Sequence, residues 1–326
     1  MAGVKSFQSE AIPGWEVSPV TISPANKRFR HWHAAVYPKP QFMKKLFFLL
    51  AWFPLGLSAQ NIYFSARAGM SNYQGDLQAK PVTFSQAGFL GSFGMKYDLS
   101  EHFVARTYFT LTTLKADDKK GNANMQMRNL NFKSKVFEWE LGAQYNLFSF
   151  NDKWWTPYVA TGIAVYHFNP FTTAPDGTKT YLAPLSTEGQ GFINGVNPYK
   201  LTQIAIPISF GGEYAINEDM RIGLEFGIRK VFTDYIDDVS NSYVDQGALL
   251  AARGQTAVDL AYRGDEIGTE PYPVGGTTRG NDKLRDGWYF AAVTFTVRSF
   301  VSQYKRIAGL PAYKKDKKVG CPSTRF

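Results

Sequence analysis

FEWELGAQYNLF, Phe137–Phe148, divides cleanly when every second residue is read. One set is Phe137, Trp139, Leu141, Ala143, Tyr145 and Leu147; the other is Glu138, Glu140, Gly142, Gln144, Asn146 and Phe148. A strand sends alternate side chains to opposite faces, so one face of this segment is oily and the other acidic or amide. A soluble sandwich would turn the oily face to its core and the polar face to water. A transmembrane barrel would do the reverse, with lipid outside and a polar lumen within.

With this stretch counted in, eight segments downstream of Gln60 alternate in the same way, over roughly 61–70, 86–99, 102–114, 135–149, 155–168, 201–216, 219–232 and 287–301. Strands of ordinary domains average about 5–6 residues, whereas a membrane-crossing strand needs ~9–11, and most of these segments are longer than either. The connections alternate in length: LSEH, FNDK and NED are tight, while about 71–85, 115–134, 169–200 and 233–286 are long. Short turns on one rim and long loops on the other, with an even strand number, are the pattern of outer-membrane barrels. The reading is therefore an all-β, eight-stranded antiparallel transmembrane barrel over 60–301, with short periplasmic turns and long extracellular loops. Its polar faces hold Arg67, Arg106, Glu138, Glu140, Arg221, Glu225 and Arg229. A charge facing lipid costs about 2–4 kcal/mol at the midplane, so these seven should point inward, pair, and plug a lumen only wide enough for side chains. Outer-membrane lipid is then the first partner. Bulky apolar groups crowding the centre of the bore would argue against this reading.

The chain has 326 residues, 16% aromatic, with one cysteine, Cys321, which can form no internal disulfide. Of the net charge of +9, residues 1–60 carry +5 and 302–326 carry +6, leaving −2 for 61–301. The basic character belongs to the ends, which points away from a nucleic-acid surface on the folded body. MKKLFFLLAWFPLGLSAQ (43–60) has a dilysine, a twelve-residue apolar stretch and small residues before Gln60. That is the layout of a secretory signal peptide, assigned to 43–59, and it is too short for a membrane helix. Residues 1–42 show no period and are expected to be a mis-start or an unstructured leader. The last 25 residues form a basic tail on the periplasmic side. Its Lys305, Arg306, Lys314, Lys315, Lys317, Lys318 and Cys321 are either a disordered end or a docking element for a periplasmic partner or an anionic surface.

Chemistry is thin. His31 and His33 lack a third ligand, and His102 and His167 are the only histidines after the signal peptide. His167 stands near Asn169, but no serine can be tied to it, so no catalytic residue, cofactor or metal is assigned. Asp234, Asp237 and Asp238, with Asp245 or Glu188, could offer calcium its oxygen ligands. The spacing is not that of an EF-hand, and a solvated rim or loop-ordering hydrogen bonds explain it more simply. Asn72, Gly75 and Asp76, and the Gly-rich stretches 189–195 and 275–280, read as turns.

Several stretches together carry a resemblance: SNYQGDLQ (71–78), RNLNFKS (128–134), PYVATGIAVYHFNP (157–170), PLSTEGQG (184–191), YKLTQIAIPISFGGEYAIN (199–217), IGLEFGIRKVFTDYIDDVSNSYVD (222–245), GWYFAAVTF (287–295) and the CP of the tail. The chain resembles the PorG family of the type IX secretion system of Bacteroidota over about 61–326. The resemblance implies a non-enzymatic outer-membrane barrel that anchors or contacts the periplasmic PorK/PorN ring of the export machine. The competing expectation is an adhesion or ligand-binding barrel acting through its long extracellular loops, and the third an outer-membrane enzyme.

Overall fold

The computed structural model describes residues 62–298, apart from 79, 81, 82, 270, 282 and 284. The expected leader 1–42, the expected signal peptide 43–59 and the expected docking tail, with Lys305, Arg306, Lys314, Lys315, Lys317, Lys318 and Cys321, lie outside the described residues. So does the His31/His33 pair.

Eight strands close on themselves. They are β1 (Ile62–Gln74), β2 (Gly88–Asp98), β3 (Phe103–Asp117), β4 (Asn131–Asn146), β5 (Trp155–His167), β8 (Thr202–Ala215), β9 (Met220–Val231) and β10 (Gly287–Arg298). Each pairs antiparallel with its neighbours. β1 joins β2 on one side and β10 on the other, and β3–β4 completes the circuit, so no barrel strand is left with an open edge. A short hairpin of β6 (Pro170–Thr173) and β7 (Lys179–Tyr181) adds to the outer end of β4. The β5–β8 ladder is interrupted between the Thr161–Ile208 and Ala164–Ala205 pairs. Pro207 sits in the gap and has no N–H to give; its carbonyl accepts instead from Thr161 Oγ1 at 3.0 Å.

Three turns at one rim are short. Leu99 N donates to Phe103 O at 2.9 Å in the first, and Ile216 N to Met220 O at 2.9 Å in the third. The other rim carries the long connections. They hold three short helices: α1 (Ala123–Arg128), α2 (Gln246–Arg253) and α3 (Gln255–Ala261). β3 and β4 run 15 and 16 residues, further toward this rim than alternation alone suggests. Lys115, Lys133 and Lys135 end the oily outward row, but the ladder continues to Asp117–Asn131.

The opening stretch settles which face is which. Phe137, Trp139, Leu141, Tyr145 and Leu147 are all more than 40% exposed, while Glu138 and Glu140 are 0% exposed. Every other barrel strand repeats this, with Leu224 at 68%, Ile163 at 64% and Phe93 at 58% exposed on the outside. Two glycines let bulky rings fit inside. A Cβ at Gly94 would meet the Tyr108 ring at 2.5 Å, and one at Gly227 the Phe290 ring at 2.3 Å.

Candidate functional site

The bore is a charge network drawn from six of the eight strands, set on the inward face by the two-residue period. Arg67, Lys96, Arg106, Arg221 and Arg229 meet Asp98, Glu138, Glu140, Glu213 and Glu225, five cations against five anions, all buried. Arg106 forks onto Glu140 Oε1 from Nε at 2.9 Å and Nη2 at 2.7 Å, and Nη2 reaches Glu225 Oε1 at 3.0 Å. Arg229 donates to Glu138 at 2.8 and 2.9 Å and to Glu140 Oε2 at 2.8 Å. Arg67 donates to Glu225 Oε1 at 2.8 Å, with its guanidinium 3.6 Å above the Tyr108 ring. Tyr158 OH adds a bond to Glu225 Oε2 at 2.9 Å. Toward the short-turn rim Lys96 binds Glu213, and Arg221 binds Asp98 at 2.8 Å. Fork-shaped guanidinium–carboxylate pairs of this kind are the strong form of a buried ion pair, and here they fill the interior with side chains.

Lys96, Asp98 and Glu213 were not among the seven residues singled out from the sequence. The signal was present: Lys96 and Asp98 alternate with Met95 and Tyr97, and Glu213 with Tyr214. They sit near strand ends, where a charge is as easily assigned to a turn.

The bore is not charged throughout: its outer end holds bulky apolar groups. Toward the long-loop rim Leu90, Leu114, Phe132, Val136, Phe168, Trp288 and Phe290 are buried in one cluster with Ile236, Val239 and Leu260 of the last loop. The reason is that the outer ends of the strands and the loops share one core. The inward face there packs against protein, and the rings also seat cations: the Arg229 guanidinium lies 5.1 Å from Trp288 and 5.0 Å from Phe290.

All four long loops are locked together above this plug. Tyr73 OH lies 2.6 Å from Asp237 Oδ2 and 2.7 Å from Asp286 Oδ1. The outer oxygens of those carboxyls accept from Val239 N at 2.9 Å and Ile236 N at 2.7 Å. A phenol has one proton to give to two carboxyls, and burial pushes both carboxyls well above the usual range. Asp238 accepts from Thr187 Oγ1 and Tyr199 OH, each at 2.6 Å; burial raises it to about 6, against the pull of Arg279. Asp234, bonded to Ser240 Oγ at 2.8 Å, is raised by burial to about 7. Glu188 takes Arg279 Nη1 at 2.9 Å and the N–H groups of Ser240 and Asn241 at 2.9 and 3.1 Å. Asp76 accepts from Asn281 N at 3.0 Å, and Arg128 grips Asp118 at 2.8 and 2.9 Å.

The acidic run is thus used in loop-ordering hydrogen bonds, and Asp245 caps α2 by accepting from Ala248 N at 2.9 Å. Among the described residues no group of three or more acids, histidines or cysteines is placed to hold a metal. His167 Nδ1 faces Thr202 Oγ1 at 3.0 Å, and His102 Nδ1 the Asn146 carbonyl at 2.8 Å.

Three solved structures similar to this chain are small barrels. Neisserial surface protein A (11% identity, TM-score 0.37) is covered over 99% of its length and 75% of this chain. OprG of Pseudomonas aeruginosa (9%, 0.37) is covered over 98% and 74%. Ail of Yersinia pestis, in complex with sucrose octasulfate (7%, 0.34), is covered over 97% and 72%. No curated protein matches the chain. Residues 40–250 match a family described as a domain of unknown function, and the chain belongs to that family, DUF6089.

Proposed function

We propose that this chain is a non-enzymatic, non-conducting barrel of the outer membrane that serves type IX protein secretion by anchoring or contacting the periplasmic PorK/PorN ring. The observation that carries the membrane part is the inversion of faces: a belt of Phe, Trp, Leu and Ile outside, with ten paired charges inside. Each such apolar side chain left in water forfeits roughly 1.5–3 kcal/mol of burial, and an exposed apolar surface of this extent marks a membrane or partner face. Closed by its own side chains, the bore offers no path for a solute, which favours an anchor over a pore. The secretion assignment is supported by the sequence resemblance, and the ring would be met from the short-turn rim and the basic tail 302–326. Pull-down of the tagged full chain from detergent-solubilised outer membranes, with mass spectrometry, tests it. Recovery of the ring proteins, reduced when 302–326 is deleted, is expected; their absence from the complex refutes the secretion role while leaving the barrel intact.

A second reading, adhesion to an external ligand, is favoured by one feature: the four long loops form a preformed surface rather than separate arms. Trimming α2 and α3 would abolish such binding and leave export unchanged.

A further inference from the structure

Four lysines collect on the outward face of the sheet just above the aromatic belt. Lys115 and Lys133 are direct cross-strand partners, and Lys135 follows two residues along β4. Lys179 of β7 stands over the Phe171 ring at 4.0 Å, and Phe171 is the β6 partner of Lys133. Lys115 is half-buried; Lys133, Lys135 and Lys179 are exposed. Like charges directly opposite each other destabilise a sheet, yet the ammonium groups of Lys115, Lys133 and Lys135 make no ion pair or hydrogen bond within the described residues. Asp117, the acid in the same row, is taken by the backbone N–H of Lys119 at 3.0 Å.

Position says what would neutralise them. The outward row of β4 runs Leu141, Trp139, Phe137, Lys135, Lys133, and Phe109 stacks beside both Phe137 and Trp139. Two residues along a strand is about 7 Å. The ammonium groups therefore begin within one headgroup depth of the last aromatic ring and point the same way as the hydrocarbon-facing side chains, not into the loop cap. We propose that this face of β3, β4 and the β6–β7 hairpin is a docking site for the phosphorylated headgroup of an outer-leaflet glycolipid, its acyl chains lying along the Phe137–Trp139–Leu141 row. A phosphate monoester carries about −1.5 to −2 charges, enough to neutralise the opposed Lys115/Lys133 pair. Lys179, with its Nζ also 2.9 Å from Tyr181 OH, closes the far side of the patch. The proposal rests on the membrane reading above and is independent of the secretion role.

The test uses the full chain in detergent, titrated with diphosphoryl lipid A and with the same lipid after dephosphorylation, bound lipid being counted by native mass spectrometry. The diphosphoryl form should bind at least about tenfold more tightly, since lysines beside a membrane favour an anionic surface. K115Q/K133Q/K135Q/K179Q should abolish that preference, and K153Q on the opposite rim should leave it unchanged. All four positions are on the surface, so the variant keeps the barrel, checked by its heat-dependent gel mobility. Equal binding of the two lipids overturns the proposal. So does displacement by inorganic phosphate, which would mark a soluble-anion site, or loss of preference in K153Q alone. Insertion into phosphatidylcholine vesicles is measured alongside: failure to insert sinks the membrane reading, whereas insertion without phosphate preference sinks only the lipid site.

Discussion

Replacing Glu140 is the sharpest way to ask whether the bore is held by its charges. Glu140 accepts from Arg106 at 2.7 and 2.9 Å, from Arg229 at 2.8 Å and from Arg67 at 3.4 Å. Glu140→Gln leaves the volume nearly unchanged but leaves five buried cations facing four anions. Its amide NH2 replaces an oxygen that two guanidinium groups address. Losing a hydrogen bond to a charged group costs roughly 1.5–3 kcal/mol, and breaking a buried pair from one side about 3–5 kcal/mol. The substitution should therefore destabilise by about 3–5 kcal/mol, more than a hundredfold in the unfolding constant. Arg106→Gln in the same chain removes the excess cation, and Glu225 still keeps Arg67 at 2.8 Å and Tyr158 at 2.9 Å. The double variant should be more stable than the sum of the two single losses by at least about 1 kcal/mol, as expected of residues within one network. Urea unfolding in lipid vesicles, followed by tryptophan fluorescence and gel mobility, measures all three. A Glu140→Gln variant within about 0.5 kcal/mol of the parent, or strictly additive losses, would refute a bore stabilised by paired charges.

Leu141→Arg, at an outward position 59% exposed, should cost about 2–4 kcal/mol in vesicles; an unchanged urea midpoint would show that this face does not meet hydrocarbon. Tyr73→Phe removes the hydroxyl shared by Asp237 and Asp286 and should lower cap stability by about 1–3 kcal/mol, seen as faster proteolysis of 232–286 with the barrel strands still protected. The cap should also loosen as pH rises. Asp234 and Asp238 hold their protons to about 7 and about 6, and Asp237 and Asp286 are raised as well. The folded cap thus binds more protons than the unfolded chain between about pH 4, where free aspartates titrate, and about pH 7. Its stability must fall across that window, against the lowering effects of Arg279 and Arg128 and with the raising effects of Asp76 and Glu188. Amide exchange in 232–286 at pH 5 and pH 8, corrected for intrinsic rates, should show weaker protection at the higher pH; greater protection there would contradict the assignment.

The strands were legible because their signal is local. Phe137 through Leu147 announces two faces within twelve residues, and Arg221, Glu225 and Arg229 repeat the inward row on β9. The short turns fell where alternation breaks. The cap was not legible, because what fixes it is remote: Asp76 accepts from Asn281 across 205 positions, and Tyr73 reaches Asp286 across 213. Nothing near Asp237 or Asp238 in the chain says that one will meet a phenol from β1 and the other Tyr199. The β6–β7 hairpin escaped for a related reason. PFTT and KTY are too short to show a period; PFTT pairs onto Lys133 and Ser134 at the outer end of β4, and KTY pairs in turn onto PFTT.

By itself the sequence determined that long ribbons with one greasy and one charged face close into a tube, because eight segments of membrane-crossing length, joined by alternately tight and long connections, fit a barrel and not a sandwich. Only the tertiary structure decided which guanidinium meets which carboxylate, that the outer end of the bore is stoppered by aromatic rings, and that the loops lock into one cap. Those choices depend on the registers that place Arg229 beside Glu138 and Trp288 beneath the last loop, and register is a property of paired strands, not of any one of them.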